Sequence, residues 1–373
     1  MTSRSTEAIR PAQGTVTARR TAPGGRQPRI TSSVVRSGAA TLVGVWLVAA
    51  FASSAAAHDY TRLAADLQQR MVKIYGAGGL RGLEAYQSGF FASPEGHILT
   101  ALSLVLDRNE VTVVLSDGRK LKGKVVGSDP VAEIAVLKVD LNGEQVEYFN
   151  FDSADIAEPG VRVLALSNLF NIATGNEPVS VLHGSITAVA PLDARRGAFA
   201  TRFTGDVLIL DASTNNPGAA GGVLVSQTGQ PLGMLGKEIR SRVTGTWLHY
   251  ALPAEEVAER YRAILEGRII ESDPDDLLPE QPASLAAIGL RLVPSVLPRT
   301  PPYVDGLQRR SASEDAGLQP DDLLLAIDGA TTGSVAEVAE LLARIEAGST
   351  IVVTILRGQE VIDIELVVPE AAK

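Results

Sequence analysis

Residues 215–225, NNPGAAGGVLV, run from a Pro-Gly turn through two alanines and two glycines into a β-branched strand. Such a layout can present a nucleophilic serine to a substrate carbonyl, yet the position that would carry the oxygen is Ala220. A methyl group cannot attack, so covalent acyl transfer is closed at that position. Other chemistries are narrowed by the composition. With no cysteine, neither disulfides nor thiolate chemistry can operate. His58, His97, His183 and His249 are far apart and show no short metal-ligand spacing, so neither a metal nor a cofactor is expected.

The 373 residues exceed one typical core and suggest two domains plus extras. Hydrophobic residues make up 45% and charged residues 21%, which describes a globular protein rather than a disordered one. The formal net charge is −9, and residues 1–57 hold seven arginines against one glutamate, so the rest of the chain is more acidic still. An acidic body repels phosphate backbones, which argues against nucleic acid as a partner. After the arginines comes SGAATLVGVWLVAAFASSAAA (37–57), whose apolar centre of about 15 residues fits a signal-peptide core better than a full membrane span. Export is expected either way, to a periplasm or cell envelope. An uncleaved N-terminal anchor is the alternative and would be the sole membrane contact.

Several elements must position the 215–225 turn. DYTRLAADLQQRMVKIYG (59–76) sets Leu63, Leu67 and Met71 at i, i+4 and i+8 and predicts a helix with these on one face. Alternating Val111, Val113 and Leu115 lead to Asp117-Gly118 and out again through Leu121 and Val125, a hairpin pattern. Short apolar runs at 134–139, 161–166, 179–189, 206–210, 222–226, 232–235 and 247–252 predict antiparallel barrels or sandwiches. Pro253 opens a helix in which Val257, Tyr261, Ile264 and Leu265 share a face. Acidic, proline-containing residues 267–284 read as a linker. Beyond them Ser334 and Glu337 form a capping box, and Val335, Val338, Leu341, Leu342 and Ile345 form the buried stripe of one further helix.

Three segments, GHILTALSLV (96–105), DPVAEIAVLKV (129–139) and NPGAAGGVLV (216–225), together resemble the HtrA/Deg family of trypsin-like serine proteases. Their order and intervals match, as do LSDGRKLKGKVVG (115–127) and VLALSN (163–168) around the second. AGLQPDDLLLAIDG (316–329) resembles the PDZ domain that follows the protease in that family, with AIGL (287–290) in place of its carboxylate-binding loop. The resemblance implies a mainly β protein, a trypsin-like double β-barrel followed by one PDZ domain. It divides the chain into a signal or anchor (1–57), a protease-like domain (58–266), an acidic linker (267–284) and a PDZ domain (285–370).

Carried over by this resemblance, the triad slots are Ser103 for histidine, Glu133 for aspartate and Ala220 for serine. Glu133 keeps a carboxylate but has no imidazole to orient, and the Ser103 hydroxyl cannot act as a base near neutral pH. The amides of Gly218 and Ala220 are an expected remnant of the oxyanion hole. Ser213, Thr214, His97, His183 and His249 are the candidate substitute groups, and each reads better as a packed or surface residue. In the PDZ domain the amides of Ile288, Gly289 and Leu290 are expected to capture a terminal carboxylate, with Val338 and Leu342 lining the groove. Four prolines in 293–306 shorten the edge beside it. The resemblance thus implies a pseudoprotease that binds peptides or unfolded proteins as a scaffold, chaperone or regulator, either as a homotrimer or in mixed trimers with an active homologue. A serine endopeptidase with an unrecognised nucleophile, and a structural envelope protein with an occluded PDZ groove, remain as alternatives.

Overall fold

Two runs of short strands each close on themselves. In a computed structural model, which describes residues 60–76, 85–106, 110–268, 270, 279, 281–297 and 299–370, the first run is β1 (Met71–Tyr75), β2 (Tyr86–Phe91), β3 (His97–Ala101), β4 (Glu110–Val114), β5 (Lys120–Asp129) and β6 (Ile134–Val139). These close into a barrel in the order β1-β2-β3-β6-β5-β4. Alternation supplies its interior: Val111 and Val113 point inward with Ile74, Ile98 and Leu137. The expected hairpin joins β4 to β5 at Gly118, whose φ of 86° suits a residue without a Cβ. The N-terminal segment, His58 and most of the acidic linker lie outside the described residues. No described helix is long and apolar enough to cross a membrane.

The second run contains β7 (Arg162–Ser167), β8 (Ser180–Pro191), β9 (Ala194–Arg196), β10 (Phe199–Ala200), β11 (Asp206–Leu210), β12 (Val223–Ser226), β13 (Pro231–Leu235), β14 (Ile239–Ser241), β15 (Trp247–Leu248) and β16 (Tyr250–Pro253). Six of them close a second barrel, β11-β16-β13-β12-β7-β8, while β10-β9-β14-β15 form a separate small sheet.

Helix α1 (Thr61–Gln68) is shorter than the spacing predicts, and Met71 opens β1 instead of continuing the helix. Pairing of this stretch with both β2 and β4 closes the barrel, and that tertiary demand overrides the helical period. Leu67 and Met71 still meet in one core. Helix α2 (Ala254–Leu265) begins directly after Pro253 and buries Val257 and Ile264, but Leu265 faces solvent. One residue past Ile264 is ~100° further round the helix, enough to leave the buried face.

From α2, Arg260 reaches back to the first barrel. Its guanidinium bonds Asp129 and, at 2.6 Å, Glu256. Asp129 in turn accepts the amides of Val131 at 2.7 Å and Ala132 at 3.2 Å, so the buried pair sets the conformation of the turn that delivers Glu133. Asp129 and Arg260 are both almost fully buried.

The remaining strands are β17 (Leu290–Leu292), β18 (Val304–Leu307), β19 (Leu323–Ile327), β20 (Ala330–Thr331), β21 (Thr350–Arg357) and β22 (Glu360–Val367), with helices α3 (Ala312–Asp315) and α4 (Val335–Leu342). They form a two-stranded sheet, β17-β18, and a four-stranded sheet, β20-β19-β21-β22. Ser334 Oγ accepts the Glu337 amide at 3.3 Å as expected, whereas the Glu337 carboxylate accepts from Gly333 N at 2.7 Å and not from the cap residue. Val338, Leu342 and Ile345 are buried; Val335 and Leu341 are only partly so. The end of the expected linker is ordered structure: Ala283 is buried and Pro282 pairs with Glu346. This domain packs on the small sheet of the second barrel, where Ala198 N donates to Asp328 Oδ2 at 2.7 Å and Phe199 pairs with Ile345.

Removing one member of a buried ion pair strands the other charge. Arg260→Ala is therefore expected to lower unfolding stability by about 3–5 kcal/mol, measured by urea denaturation. A loss under about 1 kcal/mol, the range of exposed pairs, would show that the pair does not anchor the turn.

Candidate functional site: a degenerate triad cleft

Ser103 and Glu133 line one cleft, and Ala220 lies on a turn bonded to the first barrel. Ser88 on β2, fully buried, clamps the 217–221 turn: its Oγ donates to Gly218 O at 2.6 Å, its N to Ala220 O at 3.1 Å, and its Oγ accepts Asn168 N at 2.7 Å. The turn lies so close to β3 that a Cβ on Gly221 would fall 2.4 Å from Ser88 O and 2.7 Å from Ala101 N. Gly221 has a φ of 79° and Gly218 of 83°, so both positions require glycine on conformational and, for these contacts, steric grounds. Ser103 follows two residues after Ala101, and Leu102 N donates to Glu133 O at 2.7 Å. Glu133 itself has a φ of 55°, an uncommon conformation for a residue with a side chain.

What fills the centre differs from a triad. Glu133 is gripped by Arg196, with Nη1 to Oε1 at 2.7 Å and Nη2 to Oε2 at 2.9 Å, a bidentate fork. Lys237 Nζ adds a bond to Glu133 Oε1 at 2.9 Å and another to Leu102 O at 2.8 Å. The amine therefore bridges the segment that carries Ser103 and the carboxylate at 133. Ser103 Oγ donates to Gln87 Oε1 at 2.5 Å, and Gln87 is held by its own bonds to Thr100 Oγ1 and Ala101 O. Its only proton is thus committed, and its oxygen accepts Val105 N at 3.1 Å. Among the described residues, the Ser103 hydroxyl and the Glu133 carboxylate are both hydrogen-bonded to neighbouring side chains.

The charges follow this geometry. Burial pushes the Glu133 carboxyl upward, but the hydrogen bonds and charge of Arg196, together with Lys237, outweigh it and bring it down to about 2. Burial lowers the Lys237 amine, against the opposing pull of Glu133. Arg196 is raised, because Glu133 more than offsets its burial. The side chains of Glu133, Lys237 and Arg196 remain 29, 19 and 37% accessible, so water screens the cluster and its pairs hold less energy than in a dry core.

The amides of the turn are partly engaged within it. Ala219 N donates to Asn216 O, Gly221 N to Leu235 O and Gly222 N to Ala219 O, while among the described residues no acceptor takes the amide of Gly218 or Ala220. At the turn's entrance Asn215 N donates to His249 Nδ1 at 3.0 Å. That bond requires Nδ1 to be unprotonated, consistent with the lowering of His249 by burial. His97 touches Ser93 and the edge of Tyr261, and His183 stacks on Tyr60. Ser213 and Thr214 lie in irregular chain before the turn, not in a strand, and Thr214 is buried.

Sequence reasoning missed Lys237, Arg196 and Gln87. A carboxylate retained in a cleft needs a cation, but nothing in spacing identifies which of the many basic residues supplies it; Lys237, directly after the apolar run PLGMLG, was the available hint.

In the PDZ domain the amides of Ile288, Gly289 and Leu290 donate to Ser284, Ala286 and Leu285 carbonyls at 3.2, 3.1 and 2.9 Å. Carboxylate capture there requires these bonds to be exchanged for the ligand. Val338 and Leu342, read as groove walls, are buried in the domain core with Ile288 and Leu290.

Comparison with known families agrees with this architecture. Residues 87–234 match the trypsin-like peptidase domain and residues 303–357 the PDZ domain. Similar curated proteins include a putative serine protease HhoB of Synechocystis, 28% identical over 73% of this chain and 64% of its own length. A serine endoprotease DegS of Haemophilus influenzae is 26% identical over 76% of each chain. A probable periplasmic DegP-like serine endoprotease of Chlamydia pneumoniae is 25% identical over 77% of this chain and 55% of its own. The chain thus spans roughly half to two thirds of the HhoB and DegP-like relatives. Among solved structures, a Yersinia pestis serine endoprotease aligns at 23% identity with a TM-score of 0.44, over 84% of this chain and 98% of that one. A trypsin-like double barrel followed by a PDZ domain defines the class, and the curated proteins this chain resembles are named as serine proteases.

Glu133 offers a direct check on the charge cluster. Its folded pKa is depressed from 4.5 to about 2, so its stabilising effect is full above about pH 4.5 and is lost as pH falls towards 2. Unfolding of wild type and Glu133→Gln, followed by denaturant titration across that window, should show wild type more stable at neutral pH and the difference shrinking as acid is added. A pH-independent difference would mean that the carboxylate is not held as described.

Proposed function

We propose that this protein is an exported, non-proteolytic HtrA-like protein that binds peptides or unfolded chains and serves as a scaffold, chaperone or regulator. One observation carries the reading: Lys237 Nζ bonds both Leu102 O, next to the position that the resemblance gives to histidine, and Glu133 Oε1. A triad has to hold a neutral base that can accept a proton from an attacking hydroxyl. Here the carboxylate is neutralised by two cations, the slot before it carries a committed hydroxyl, and residue 220 is a methyl group. Export rests on the basic-then-apolar N-terminal sequence and on relatives named as periplasmic. Peptide binding rests on the cleft, about 760 Å³ in volume, and on the match to the PDZ domain.

A second reading, a structural envelope protein whose PDZ groove is closed, is favoured by the internal bonds of the 288–290 amides and the burial of Val338 and Leu342. Under that reading no peptide, acid or amide, binds the full chain at millimolar concentration.

The purified chain should not turn over casein or a peptide library. Hydrolysis that persists after contaminating proteases are inhibited would overturn the proposal. Ala220→Ser alone should gain nothing, because a hydroxyl without a base stays a weak nucleophile. Ser103→His with Glu133→Asp and Ala220→Ser should remain slow while Lys237 and Arg196 hold the carboxylate. Adding Lys237→Ser should raise its rate about tenfold or more, a change read as loss of competition for the carboxylate. A folded quadruple variant no faster than the triple would remove Lys237 from the explanation of inactivity.

A further inference from the structure

The cleft at the degenerate triad extends beyond it, between the second barrel and the PDZ domain. Its far wall is built from both: Phe199, Arg202 and Phe203 from the barrel side, Leu341 and Arg344 from the PDZ helix region. Leu341 at the end of α4 and Arg344 in the turn that follows both line the cleft, while Val338 and Leu342 serve the PDZ core. The floor is largely apolar, with Leu192 and Leu252 among its residues.

Two carboxylates line this cleft, and both are already satisfied. Glu133 holds Arg196 and Lys237. Asp328 accepts Ala198 N through Oδ2 and Val352 N through Oδ1, each at 2.7 Å. Arg202 and Arg344 are left over: among the described residues neither guanidinium makes an ion pair. Arg344 lies on the Phe199 ring, 5.6 Å from its centroid, half-buried. Burial and the charge of Arg202 both disfavour its charged form, with only Glu133 opposing. Two guanidinium groups, exposed Arg202 and half-buried Arg344, therefore line one end of a cleft with an apolar floor, the charge and donor geometry that suit a carboxylate.

Resting on the reading that the cleft holds peptide without cleaving it, we propose that Arg202 and Arg344 form a carboxylate-binding subsite, and that its ligand is the free C-terminus of a short apolar peptide. The apolar floor takes the last side chains, and the guanidinium pair takes the carboxylate. An extended polyanion does not fit, because the acidic body repels it beyond the cleft. The subsite is separate from the 287–290 loop of the PDZ domain, and Arg202 belongs to the barrel.

Calorimetric titration of the full chain with Ac-Val-Leu-Phe as free acid, with its C-terminal amide and with decanoate tests the proposal. The acid should bind about tenfold more tightly than the amide, the scale of a charge-assisted contact. Arg202→Gln and Arg344→Gln should each remove most of that difference, and Arg344→Lys should keep part of it. Because Arg344 packs on Phe199, its variants are read beside thermal unfolding; exposed Arg202 keeps the test decisive if Arg344→Gln fails to fold. Equal binding of acid and amide, or unchanged binding by Arg202→Gln, overturns the subsite. Decanoate binding as tightly as the peptide and displacing it overturns the ligand class. Cleavage of the peptide, seen by mass spectrometry, overturns the non-proteolytic reading instead and is thereby distinguished.

Discussion

A carboxylate in a cleft must be paired, solvated or protonated, and the structure around Glu133 follows from that requirement. Its position, at the end of a turn fixed by the Asp129–Arg260 pair, sets the side chain in the cleft with only partial access to solvent. Arg196 and Lys237 meet the requirement together. In an active triad the carboxylate's charge is used to stabilise an imidazolium as it forms. Here the same charge is paired with Arg196 and Lys237.

The inter-barrel junction is otherwise preserved by contacts that do not involve catalytic groups. Ser88 binds three backbone or near-backbone partners across the junction, and close approach of the turn to β3 depends on glycine at 221. Such contacts maintain the shape of a cleft regardless of whether the residues facing it can do chemistry.

The PDZ domain is held to the barrel by a hydrogen bond, a strand bridge and a cation over a ring, all on the segment 198–199. Through these contacts the wall of the protease cleft becomes partly PDZ. Arg344 is where the two meet, and among the described residues it makes no ion pair while Glu133 and Asp328 hold other partners. The 284–290 loop, by contrast, satisfies its own amides, so the two candidate stations for a peptide differ in how much the protein must rearrange to use them.

Sequence alone determined much of the framework. Alternating valines dictated the β4–β5 hairpin, the Ser334 cap dictated α4, and the three spaced segments resembled a double barrel with its PDZ domain; the identity of residue 220 excluded a serine nucleophile at that position. What sequence could not decide were outcomes of competition between distant parts of the chain. Met71 lies at a helical spacing from Leu67, yet barrel closure makes it a strand residue. Pro282 and Ala283 read as tether, yet they pack on the last domain. Which cations neutralise Glu133 depends on β9 and the residues after β13 arriving at one place from 63 and 104 positions away. A local pattern records what a segment prefers, whereas charge pairing is settled only once the fold fixes distances, because the Coulomb energy depends on separation and on how much water remains between the groups.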